Sequence, residues 1–172
     1  MHGTGTRLLS ELKPQQELQL EGPFGNGFPM PEGRTALVGG GIGIAPLLLA
    51  AKKFPSSDVF LGYTGKPFAA EAFRALPSKV TVVSGGSVLD TLNPLNYDTI
   101  YACGPTAMMT NLALQTAGSS VQLYISVEKH MACGIGACNG CNVSVKDGNR
   151  KACTDGPVFL AEEVKLDDLH EL

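Results

Sequence analysis

The sequence has no tryptophan, 6% aromatic residues and 3 histidines among 172 residues. General bases are therefore few. His2, His130 and His170 make no evident pair with a serine or cysteine, so hydrolysis by an activated nucleophile has little support. Basic residues number 13 against 16 acidic, a net charge of -3, and no run of Lys and Arg builds a local basic patch, which argues against nucleic acid as a partner. Long apolar runs are also missing. Residues 36–51 come nearest, but Gly39, Gly40, Gly41, Gly43 and Pro46 interrupt them and they are too short to cross a bilayer. No membrane segment is expected. The opening "MHGTGTRLLSEL" lacks the apolar core of a secretory signal, so a reducing, cytoplasmic setting is expected, where stable disulfides are rare.

What is present is 44% hydrophobic residues, 21 glycines and 5 cysteines, enough apolar material to bury a core. The texture changes twice. Residues 1–33 are short and turn-rich, with a helix expected at 6–12, a strand at "ELQLEG" and then the loop "PFGNGFPMPEG". Residues 34–120 alternate strand and helix: "TALVG", "PLLLAAKKF", "DVFLGYT", "AAEAFRAL", "KVTVVS", "YDTIYAC" and "TAMMTNLALQTA". That order predicts an α/β domain whose mostly parallel sheet is covered on both faces. Residues 121–172 contain "VQLYISVE", a cysteine loop, "CNVSV", a turn at Asp147-Gly148 that predicts a hairpin, and a solvated tail "KLDDLHEL".

Cys133, Cys138, Cys141 and Cys153 carry the strongest signal. Three thiols come from one loop and the fourth from a separate segment, the plant-type ferredoxin spacing that suits a [2Fe-2S] cluster. Gly134, Gly136 and Gly140 let the loop curl and turn backbone N–H groups toward the sulfurs of an anionic centre. Structural zinc is the rival, although only Cys138 and Cys141 have the spacing of a zinc knuckle. Cys103 stands apart and reads as a small buried residue. His130, three residues before Cys133, reads as a surface histidine, with a role in tuning the cluster or meeting a partner as the alternative.

"TALVGGGIGIAP" places a glycine-rich turn between a buried strand and a helix, where N–H groups and the helix end can meet a pyrophosphate. Gly41 and Gly43 match the dinucleotide fingerprint, but Pro46 stands where the third glycine would be; a plain tight turn is the alternative. "ACGPTAMM" repeats the strand, turn and helix plan at Cys103, Gly104 and Pro105, with Met108 and Met109 as core packing. A nicotinamide gives electrons in pairs and a [2Fe-2S] cluster takes them singly, so the two sites together call for a flavin between them. Gly5 and Thr6, expected to open a helix, are the candidate contacts for a flavin pyrophosphate; an ordinary Thr-capped helix is the alternative.

The segments "GPFGNGF", "GGGIGIAP", "YACGPTAMM", "MACGIGACNGC" and "ACTDGPVF" together resemble the electron-transfer subunits of type B dihydroorotate dehydrogenases, within the ferredoxin reductase-like flavoproteins. The resemblance runs over nearly the whole chain. It implies an NAD-binding α/β domain of the ferredoxin reductase type at 34–120, a small C-terminal [2Fe-2S] module at 121–172 and a remnant of an N-terminal flavin barrel at 1–33. It further implies a route from NADH through FAD and the cluster to the FMN of a separate dihydroorotate dehydrogenase catalytic subunit in pyrimidine biosynthesis, hence a hetero-oligomer. By position, Gly5 and Thr6 would touch FAD, and Gly39, Gly40, Gly41, Gly43, Ile44, Ala45 and Pro46 with Cys103, Gly104 and Pro105 would line the nicotinamide site. Cys133, Cys138, Cys141 and Cys153 would ligate iron. Two departures stand out. The Arg-x-Tyr/Phe-Ser segment that holds the flavin in relatives is missing, so FAD is expected to need help from outside residues 1–172. "SGGSVLDTLNPLNYD" is also shorter than the family's acidic, glycine-rich region. A zinc-binding scaffold without redox chemistry and a stand-alone NADH:acceptor reductase remain as alternatives.

Overall fold

The computed structural model describes residues 3–169, so His2 and His170 lie outside it. Five parallel strands form the body of one sheet: β1 Thr35–Gly40, β2 Asp58–Tyr63, β3 Val80–Ser84, β4 Thr99–Cys103 and β5 Gln122–Ser126. A short strand, β8 Val158–Leu160, adds antiparallel to β5, giving the order β3-β2-β1-β4-β5-β8. β6 Asn142–Val145 and β7 Gly148–Lys151 form a separate antiparallel hairpin. The expected α/β plan is present, and so is the hairpin.

Strand alternation divides the core into two layers. Leu37, Tyr101 and Cys103 point to the face covered by α2 Ile44–Lys53 and α3 Ala70–Arg74, packing with Leu47 and Phe73. Ala36, Val38, Ile100 and Ala102 point the other way, toward α4 Thr106–Thr116. The hairpin residues Val143 and Val145, with Cys141 and Cys153, belong to this second layer. The cysteine module and the sheet therefore share one hydrophobic core. β5 and β8, both beyond residue 120, complete the large sheet.

Two local expectations are corrected. "ELQLEG" forms no strand. Its alternation supplies a one-sided apolar face, but Leu18 and Leu20 are exposed and the segment pairs with none of the described strands, so there is no ladder to hold it extended. The N-terminal helix is α1 Thr4–Ser10, earlier than expected, and none of its residues is buried. Between β3 and β4 the chain crosses on two short 3-10 turns, Val88–Thr91 and Pro94–Asn96, capped by Ser87 and Asn93 side chains that accept from Leu89 and Leu95 N–H.

Residues 26–33 are tied to the sheet, unlike those before them. Tyr101, wholly buried, donates its hydroxyl to the Pro29 carbonyl at 2.7 Å, with the Phe28 ring 4.7 Å from its own. Thr99 donates to the Glu32 carbonyl at 2.8 Å and accepts from its N–H. Burial pushes the Tyr101 phenol up to about 12, so it remains a donor throughout the neutral range. Tyr101→Phe keeps the ring and deletes this one bond. We expect a loss of about 1 kcal/mol of stability, measured as a lower urea midpoint with unchanged slope.

Candidate metal centre

The four cysteines stand as two pairs on a wrapped loop. β6 and β7 pair Asn142 with Lys151, and the Ala152 N–H donates to the Cys141 carbonyl at 3.0 Å, so the hairpin ends bring Cys141 beside Cys153 with sulfurs 3.3 Å apart. Both are buried. Cys133 and Cys138 form the outer pair: the Cys138 N–H points at the Cys133 sulfur from 3.4 Å, and its thiol meets that sulfur too. Among the described residues no three His, Cys, Asp or Glu side chains are grouped around a single ion position. Two thiols for each of two irons is the division that a [2Fe-2S] cluster requires.

Backbone amides surround these sulfurs. N–H groups of Cys138, Ile135 and Ala137 lower the Cys133 thiol to about 6. The Gly140 N–H points at the Cys138 sulfur from 3.4 Å. Burial opposes ionising Cys141, but the N–H groups of Cys153 and Ala152 and the facing Cys153 thiol outweigh it and hold Cys141 below the ordinary thiol value. Facing Cys141, Cys153 moves the other way and keeps its proton to higher pH. Gly134 and Gly136 have φ of 71° and 79°, the left-handed conformation that favours glycine, and Asn139 adopts it at 59°. The curl expected from the glycines is present, and the donor set fits an anionic thiolate centre.

Sequence reasoning passed over the segment that braces this loop. Asn26 donates its side-chain amide to the carbonyls of Thr154 at 3.0 Å and Asp155 at 3.1 Å. Gly25, at φ 67°, lies so close to Gly156 that an added Cβ would sit 2.1 Å from its carbonyl oxygen. The Phe24 ring packs over Gly134, 3.5 Å from where a Cβ would be. "GPFGNGF" was visible as a motif, but nothing in one chain's pattern says that it touches residues more than a hundred positions away.

The glycine turns meet at the carboxyl edge of the sheet. β1 and β4 are neighbours, and a Cβ on Gly43 would lie 2.4 Å from the Cys103 carbonyl oxygen and 2.6 Å from the Gly104 nitrogen. A Cβ on Gly40 would lie 2.8 Å from Pro105 and 3.0 Å from the Met108 sulfur, so Met108 covers these turns while Met109 is core. Gly39 backs onto Ile44 and Leu47. Ile44 is wholly buried, which limits any contact with a ligand to its backbone, whereas Ala45 and Pro46 are exposed. Burial raises the Cys103 thiol, which lies in the core layer opposite the one that holds Cys141 and Cys153. Gly5 and Thr6 lie inside α1 rather than at its start: Gly3 is the N-cap, and the Thr6 hydroxyl donates to the Gly3 carbonyl at 3.1 Å. The Thr-capped start is thus corrected. His130 is exposed.

Residues 128–165 match the iron-sulfur cluster binding domain of dihydroorotate dehydrogenase B. The electron transfer subunit of dihydroorotate dehydrogenase B (NAD(+)) from Clostridium acetobutylicum is 39% identical over 178 residues, covering 96% of this chain and 72% of that protein. The corresponding subunit of Caldanaerobacter subterraneus subsp. tengcongensis is 40% identical over 179 residues, covering 95% and 72%. A solved structure of an NADH-dependent reduced ferredoxin-NADP oxidoreductase, studied for flavin-based electron bifurcation, aligns with a TM-score of 0.87 at 32% identity over 98% of this chain and 68% of its own. The chain belongs to the family of dihydroorotate dehydrogenase B electron-transfer subunits.

Proposed function

We propose that this chain accepts electrons that originate from NADH and delivers them, through a [2Fe-2S] cluster on Cys133, Cys138, Cys141 and Cys153, to the FMN of a dihydroorotate dehydrogenase catalytic subunit. The observation that carries the reading is the paired thiol arrangement inside a shell of backbone N–H donors. When bound, the cluster supplies single-electron acceptance, with a flavin between it and the nicotinamide to split the electron pair. Gly5 and Thr6 are this chain's candidate contacts for the FAD.

The chain's own residues prepare for this. A thiol with a pKa of about 6 is mostly ionised at neutral pH, so Cys133 meets incoming iron without first having to lose a proton. The buried Cys141 and Cys153 keep water from the inner half of the centre. At the sheet edge, the Gly39–Pro46 and Cys103–Pro105 turns are the proposed seat of the nicotinamide nucleotide, where the backbone approaches closely enough for N–H groups to meet phosphate.

Anaerobically purified protein should be brown and contain two irons and two acid-labile sulfides per chain. Reduction should produce an EPR signal that Cys138→Ser removes. Stoichiometric zinc without sulfide would overturn the reading in favour of a structural site. A second test uses the cluster-free protein. Cys133 is thiolate above about pH 6 and becomes protonated as pH falls through that value. Iodoacetamide mapped by mass spectrometry should therefore label Cys133 ahead of Cys103 at pH 7, and this advantage should shrink at pH 5.

A further inference from the structure

Lys151, the last residue of β7, lies two positions before Cys153 and is fixed at each of its polar groups. Its N–H donates to the Asp155 carboxylate at 2.7 Å. Its carbonyl accepts from the N–H groups of Thr154, Asp155 and Gly156 at 3.2, 2.8 and 3.2 Å. Its ammonium, half-buried, donates to the Gly136 carbonyl on the opposite side of the cysteine loop.

The Gly136 residue bridges the two thiol pairs. Its own N–H is directed at the Cys153 sulfur. Its carbonyl belongs to the same peptide unit as the Ala137 N–H, which is directed at the Cys133 sulfur. A cation on that carbonyl polarises the peptide and strengthens the hydrogen bond that its N–H donates to sulfur. It also places a positive charge beside a centre whose charge becomes more negative by one on reduction. We propose that Lys151 is a positioning residue for the cluster, holding the Gly136–Ala137 peptide against the Cys133 sulfur, and with it the adjoining Gly136 N–H toward Cys153, and raising the reduction potential through its charge.

This inference rests on the [2Fe-2S] reading, and the test separates the two. The full chain with its cluster is compared with Lys151→Met, Lys151→Gln and Lys151→Arg by EPR-monitored redox titration and by the rate of bleaching in a chelator. Lys151→Met should titrate at a more negative potential and lose its cluster roughly 10–100-fold faster, the usual scale for removing a partner of a metal ligand. Lys151→Gln, which keeps a donor but no charge, should show the potential shift with slower bleaching than Lys151→Met. Lys151→Arg should retain the wild-type potential. If Lys151→Met and Lys151→Gln both keep the wild-type potential and bleaching rate, the role of Lys151 is overturned and the cluster reading stands. If the wild-type chain itself holds no cluster, both fall.

Discussion

The register of one short hairpin governs the rest of the site. Cys141 and Cys153 are twelve residues apart in sequence, and neither local propensity nor glycine content brings them together. What does is the pairing of β6 with β7, which sets Val145 against Gly148 across a two-residue turn and so sets Asn142 against Lys151 at the open end. A slip of one residue would turn Val143 and Val145 away from the core and move Cys153 out of reach of Cys141. Register is well specified here because both valines are buried under the main sheet and because Lys146 and Lys165 bond back to Glu163 and Ser144. The thiol spacing is thus enforced by apolar burial some distance from the sulfurs.

How much of this could be read in the chain depends on how local each cause is. The sheet was legible because Leu37, Val38, Ile100 and Tyr101 lie in apolar runs bounded by glycine or proline turns, and such runs carry their own explanation. The four cysteines were legible because three of them sit within nine residues at a spacing tied to cluster chemistry. Asn26 and Lys151 were not. Each works through contacts between segments far apart in sequence, Asn26 on the carbonyls after Cys153 and Lys151 on the carbonyl of Gly136. The misreading of "ELQLEG" has the same origin in reverse, since a strand exists only where a neighbour accepts its hydrogen bonds.

The parallel sheet also explains why the turns proposed for the nucleotide and the thiol loop lie on one side of the fold. Parallel strands all end at the same edge, so the turns leaving β1 at Gly40 and β4 at Cys103 and the cysteine loop leaving β5 at Ser126 start there together. Cys103 and Ser126 are register partners on adjacent strands, so the turn proposed for the nucleotide and the loop bearing the thiols begin about one strand spacing apart. The antiparallel β8 completes the arrangement: its first residue, Val158, pairs with Ser126, which returns residues 153–157 to that same edge. Asn26 then bridges to Pro157 and fastens the returning segment. Strand direction alone, before any side chain is considered, gathers the turns proposed for the nucleotide, the thiol loop and the segment of the fourth cysteine at one edge of the sheet.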